Sequence, residues 1–267
     1  MFALLLPALL SIGHALQPSV TELSSQLDSV VQIRNDAPDQ NGDDAPAFCV
    51  ATLLSPSTLI TAAHCVKDLY FHSNLTLQVD LGHYRYITRP TGERVRIGYV
   101  NTIRHASTVQ IRFLPALGRK LASSGKRAKI GPNEDVAVVH LRRALELPSD
   151  FIFTRLPSAT QLQAMLKAPL NFSPTVTTIN FLEESSLDYK RSALLNDVKV
   201  SGQHFTSKST SRVAPGDSGA PFFMSANGRR FLVAVVKGRA ETIFSNWDVY
   251  SHVHQLACVE ERLPACQ

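Results

Sequence analysis

Short apolar runs, each only a few residues long and each bounded by proline, glycine, asparagine or aspartate, recur along almost the whole chain. They are Val30-Val31-Gln32-Ile33, Cys49 to Leu54, Leu75 to Leu81, Arg94 to Ile103, Val136 to Leu141, Val176 to Phe181 and Phe231 to Val236. Runs of this length are too short for core helices and are rich in β-branched residues, so they predict strands. Helical spacing is convincing in two places only. One is Ser158 to Lys167; the other is the end of the chain, where Val253, Leu256 and Ala257 lead up to Pro264. Many strands with a terminal helix predict a closed all-β architecture. At 267 residues and 44% hydrophobic, the chain can bury a substantial core. Residues 17–29 and 35–47 are polar, the second stretch being turn-rich, and there is no internal repeat or low-complexity tract.

Residues 1–15 carry no charged side chain; Phe2, Leu4, Leu5, Leu6, Leu9 and Leu10 form an apolar stretch too short for a membrane span, followed by Gly13-His14-Ala15. This is read as a signal peptide cut after Ala15, leaving 16–267 as the mature domain. A secreted product, extracellular or periplasmic, follows, and no other apolar run approaches a membrane span. Export means an oxidising compartment, in which the four cysteines, Cys49, Cys65, Cys258 and Cys266, permit three pairings. Two local bridges, Cys49–Cys65 and Cys258–Cys266, are preferred.

The formal charge is +5, and Arg112, Arg119, Lys120, Lys126, Arg127 and Lys129 form a basic island with no acid among them. The plain expectation is a solvated loop; the sharper one is attraction of acidic or polyanionic surfaces. No specific nucleic-acid partner is expected. His72, His83, His105, His140 and His204 lack metal-ligand spacing, and His252 and His254 alternate too closely to share a helix face, so neither a metal nor a cofactor is expected. Asn74-Leu75-Thr76 and Asn171-Phe172-Ser173 are glycosylation sequons, a pattern common by chance.

Three segments carry chemistry. Leu59-Ile60-Thr61-Ala62-Ala63-His64-Cys65 ends a β-rich run in two small residues and a histidine. Asp135 stands at the mouth of the apolar strand Val136-Ala137-Val138-Val139, where a carboxylate is costly unless it is hydrogen-bonded. In Gly216-Asp217-Ser218-Gly219-Ala220-Pro221 a serine lies between glycines, whose permissive backbone can turn amide hydrogens toward an oxyanion. A serine hydroxyl needs an imidazole to take its proton, and the imidazole needs a carboxylate to set its tautomer.

Thr-Ala-Ala-His-Cys, Asp-Val-Ala-Val and Gly-Asp-Ser-Gly-Ala-Pro, in the order His, Asp, Ser, resemble the chymotrypsin family over roughly Val30 to Val253. Ser29 to Arg34, Phe48-Cys49 and Leu53-Leu54-Ser55-Pro56 look like its bacterial trypsin-like and glutamyl-endopeptidase branches. The resemblance implies two six-stranded antiparallel β-barrels, about 28–148 and about 149–255, followed by the C-terminal helix and tail. It also implies His64 and Asp135 from the first barrel, nucleophile Ser218 from the second, and a cleft for an extended peptide. Gly216 and Ser218 would supply the oxyanion hole, Asp217 would meet a newly freed N-terminus, and Cys49–Cys65 would be the histidine-loop bridge.

The pattern also departs from the family. No Ile-Val-Gly-Gly-like activation site is present, although signal cleavage would expose Leu16. His64 and Asp135 are 71 positions apart, longer than in relatives, which predicts a surface insertion at 112–129. Arg212 stands where trypsins carry the aspartate that binds basic side chains, so cleavage after arginine or lysine is not expected. If Arg212, Lys237 or Arg239 lines the primary pocket, an acidic guest is the complement; if Asp248 or another acid neutralises Arg212, the pocket is restricted or apolar. The expectation is a secreted serine endopeptidase. The alternative is a protease-fold binding protein that holds polyanions.

Overall fold

The computed structural model describes residues 20–21, 27–35, 48–71, 76–92, 94–131, 133–149, 151–179, 190–201, 204–207, 213, 216–242 and 245–252. The expected signal peptide, the C-terminal helix, Cys258–Cys266, Leu16 and Arg212 lie outside these residues. For part of the long strands, Arg239 included, only the backbone is described.

A two-residue strand, β1 (Val20–Thr21), belongs to the second half of the molecule. The strands that follow, β2 (Val30–Asn35), β3 (Phe48–Ser55), β4 (Thr58–Thr61), β5 (Thr76–Thr88), β6 (Arg94–Phe113) and β7 (Ala137–Leu141), close into an antiparallel barrel ordered β2-β3-β4-β7-β6-β5. Every apolar run of the first half forms a strand here. Their side chains alternate between two cores, as the two-residue period of a strand requires. Ala51, Leu53, Leu59, Ala137 and Val139 fill the barrel. Val50, Ile60, Val136 and Val138, their neighbours in sequence, face a second cluster shared with Val176, Phe205, Phe222, Phe223 and Val235 from the other half. The two halves are thus held together by a common apolar layer.

The second half differs from expectation. Strands β8 (Thr175–Ile179), β9 (Lys190–Leu194), β10 (Lys199–Ser201), β11 (His204–Ser207), β12 (Pro221–Ala226), β13 (Arg229–Thr242) and β14 (Ser245–His252) join β1 in an eight-stranded sheet. Its order is β1-β9-β8-β12-β13-β14-β11-β10. Among the described residues this is not a six-stranded closed barrel. The extra edge arises because Val20 and Thr21, in a stretch read from the sequence only as polar, pair with Ser192 and Arg191 of β9.

Among the described residues three α-helices punctuate the strands: α1 (Ala63–Phe71), α2 (Pro115–Ser124) and α3 (Ala159–Lys167). The last is the expected one, started by a capping box in which Ser158 and Gln161 satisfy each other's backbone amides. The basic segment 112–129, expected as a solvated surface insertion, is not all loop: Arg112 and Phe113 end β6, and Pro115–Ser124 forms α2. Pro115 starts α2, and Leu117 and Leu121, four apart, are buried in the barrel core while Arg119 and Lys120 stay exposed. Among the described residues no helix is long and apolar enough to cross a membrane.

Lys190 is fully buried, and its ammonium donates to the carbonyls of Leu27 at 2.6 Å and Asp28 at 3.3 Å, fastening the chain just before β2 to β9. Burial lowers its pKa to about 8, against the opposing pull of the Asp28 and Asp80 carboxylates. The folded state therefore binds fewer protons than the unfolded state between about pH 8 and the ordinary lysine range, and this group's contribution to stability rises with pH across that window. Denaturant midpoints measured at pH 7.5 and 9.5 should show this gain for the wild type relative to Lys190→Met; equal pH slopes for the two proteins would refute it.

Candidate active site

The antiparallel register of β4 on β7 sets Thr61 opposite Ala137. The chain running on from β4 reaches His64 three residues later, and the chain running into β7 leaves Asp135 two residues earlier, so the pair meets at one barrel rim. His64 is in the first turn of α1, behind fully buried Ala62 and Ala63, whose small side chains allow the tight passage from strand to helix. His64 Nδ1 lies 2.8 Å from Asp135 Oδ2, and the His64 backbone N–H donates to Asp135 Oδ1 at 3.0 Å. The carboxylate therefore grips the histidine by ring and backbone at once. Asp135 is completely buried, whereas the His64 side chain is 36% exposed, the asymmetry expected of a group that orients and a group that reacts.

Burial opposes ionisation of Asp135. The hydrogen bond and charge of His64, the Lys237 ammonium and the His64 amide outweigh that penalty and hold the carboxyl below the usual aspartate range. The loop bearing it is pinned on several sides. Lys120 of α2 donates to Glu134 Oε2 at 2.7 Å, Gly131 N–H donates to the same oxygen at 3.2 Å, and His204 Nδ1 lies 2.7 Å from Asn133 Oδ1.

Ser218 sits in a tight turn between the buried end of β12 and the opposite barrel. Gly216 has φ 97° and Gly219 φ 81°, conformations that residues with a Cβ adopt only under strain. The Ser218 carbonyl accepts from Val50 N–H of β3 at 2.8 Å, and Gly219 N–H donates to the Val236 carbonyl of β13 at 2.8 Å. A Cβ on Gly219 would lie 2.1 Å from the Val50 carbonyl oxygen, 2.2 Å from Thr61 Oγ1 and 3.1 Å from Ala62 N. The serine turn is therefore seated directly on the segment that leads into His64. Asp217 is buried, and its Oδ1 accepts a hydrogen bond from the Thr178 hydroxyl of β8, a partner with no sequence signal.

Cys49 and Cys65 form the expected disulfide, tying β3 to α1 beside His64. Sγ atoms of these two residues and a His64 ring nitrogen lie within 4.8 Å of one another, but the sulfurs are bonded together and offer no thiolate to a metal. Of the three cations expected at a pocket, Lys237 is turned inward: its Nζ donates to the Ile130 carbonyl at 3.1 Å and to Asp135 Oδ2 at 3.3 Å. Arg239 is in β13, with its backbone opposite Asp248 of β14.

A family model described as Trypsin matches residues 30–258. No curated protein matches the chain.

Proposed function

Because the chain belongs to the trypsin family, we propose that it is a serine endopeptidase that cleaves polypeptides through an acyl-enzyme, with Ser218, His64 and Asp135 as its triad. The observation that carries this reading is the grip of buried Asp135 on both the ring and the backbone of His64, beside a serine turn packed on the same segment. The Asp135 contact calls for the proton on Nδ1, which leaves Nε2 as the acceptor a general base needs. Ser218 Oγ attacks the scissile carbonyl as His64 takes its proton, and the amides of Gly216 and Ser218 stabilise the oxyanion. His64 then protonates the departing amine, and water, deprotonated by His64, releases the acid and regenerates the serine.

In the sequence Arg212 stands where trypsins carry the aspartate that binds basic side chains, which argues against cleavage after arginine or lysine; an acidic guest is the complement if Arg212 or Arg239 lines the primary pocket, and a restricted or apolar guest if Asp248 or another acid neutralises Arg212. The signal-like residues 1–15 and the Cys49–Cys65 disulfide, a bond that persists in oxidising compartments, fit a secreted enzyme.

Labelling with an organophosphonate tests the reading, because it requires an activated serine rather than merely a serine. Stoichiometric modification, abolished in Ser218→Ala, is expected. A folded, mature protein that takes up no label would overturn it in favour of a polyanion-binding protein.

A further inference from the structure

Lys237 occupies an irregular place in its strand. The pairing of β13 with β14 shifts register between Val236, opposite Tyr250, and Gly238, opposite Val249, so Lys237 is the extra residue of a bulge. Bulges re-aim side chains, and this one delivers an ammonium to the buried face of the catalytic pair. Its Nζ rests on the Ile130 carbonyl and reaches Asp135 Oδ2, the oxygen that already faces His64 Nδ1. The Lys237 side chain is 28% exposed and Asp135 is wholly buried.

We propose that Lys237 is a positioning residue of the triad: it pins Asp135 Oδ2 in line with His64 and offsets part of the carboxylate charge that would otherwise favour an imidazolium at His64. This rests on the endopeptidase reading. Protonated His64 would place two cations on one carboxylate oxygen, and their mutual repulsion disfavours that state. Among the described residues, the other charged and titratable groups tied to this loop are Glu134, which holds Lys120 of α2, and His204 of β11 on Asn133; Lys67 of α1 bonds the Lys126 carbonyl instead. Beyond His64, Lys237 is the one among the described residues that bonds Asp135 directly. The role differs from that of a pocket cation, which would act on substrate affinity.

The test compares the wild type with Lys237→Met, which keeps the length of the side chain without its charge, and Lys237→Arg, which keeps the charge. The acid limb of the kcat/KM profile should move to higher pH by about 0.5 to 1 unit in the methionine variant, a range scaled down for partial exposure. The arginine variant should retain the wild-type limb, and KM for acidic peptides should stay within about twofold, on the view that the residue acts on the triad and not on ground-state binding. A readout independent of turnover is the low-field proton resonance of His64 Nδ1–H, whose titration midpoint should rise by the same amount in Lys237→Met. Superimposable limbs and midpoints, or a rise in KM confined to acidic substrates, would overturn the proposal. A wild type that resists organophosphonate overturns the endopeptidase reading instead, while the resonance still decides the electrostatic role of Lys237.

Discussion

Replacing Asp135 by asparagine is expected to lower kcat/KM by about 10⁴-fold near neutral pH while leaving the fold in place, the scale of loss when the carboxylate of such a triad becomes an amide. The reason is local. Asp135 Oδ2 accepts from His64 Nδ1 and Oδ1 accepts from the His64 backbone. An amide can satisfy the backbone donor with its oxygen, but its NH₂ then faces Nδ1 and favours the tautomer with the proton on Nε2. In that tautomer the ring has no lone pair for the serine proton. Lys237, which shares Oδ2, is exposed enough to turn to water, so the stability cost should be small beside the kinetic one. Circular dichroism would verify the fold, and organophosphonate labelling should slow in parallel with turnover. Activity within tenfold of the wild type would show that Asp135 does not orient the base. The carboxylate also carries a stability signature. Its folded pKa is depressed, so the stabilisation is complete above the ordinary aspartate range and is lost as the pH falls through the lower folded value.

Gly219→Ala should damage the protein in two ways. At φ 81° an added Cβ is strained by roughly 1–2 kcal/mol. The larger effect is steric, because the Cβ would meet the Val50 carbonyl at 2.1 Å and Thr61 Oγ1 at 2.2 Å, and neither is the end of a flexible side chain. Thr61 Oγ1 itself donates to the Val50 carbonyl at 2.7 Å, so the two strands cannot part without losing a buried hydrogen bond. A total of about 3–5 kcal/mol is expected, on the scale of overpacking added to strain, which lowers Tm by about 10 °C in a chain of this size. Well below that temperature, activity should still fall more than about 100-fold, because a shift near 1 Å between the serine turn and the histidine segment suffices for such a loss. Gly92 is the internal control. Its φ is 82°, yet nothing lies within 4 Å of an added Cβ, so Gly92→Ala carries the backbone strain without the collision. Equal effects at the two glycines would refute the close-packing account.

Each of the apolar runs in the sequence yields a strand over its described residues, since alternation is a local property and survives whatever the neighbours do. The disulfide at His64 and the capped helix Ala159–Lys167 are legible because their signals also lie close together in the chain. Helix α2 is hidden because its charges and small residues break up the apolar pattern, although Pro115 followed by Leu117 and Leu121 is a usable sign. Helix α1 is disguised by the β-rich run that leads into His64, despite Ala63, Val66 and Leu69 recurring every third residue. The eight-stranded second sheet is not legible, because β9, β10 and β11 are short, polar strands whose pairing is decided by tertiary contacts. The Lys237–Asp135 bond joins residues 102 positions apart, and the bulge that produces it has no signature within β13 alone.

The basic segment merits a different description once its helix is in view. Leu117 and Leu121 share a core with Val66 and Leu69 of α1, the Lys126 carbonyl accepts from Lys67 of α1, and Lys120 holds Glu134 next to Asp135. A stretch that lengthens the chain between histidine and aspartate thus works as a buttress behind both of them. It cannot be trimmed as a surface loop can: shortening it would loosen the footing of both His64 and Asp135, the pair on which the proposed mechanism rests, without altering either residue.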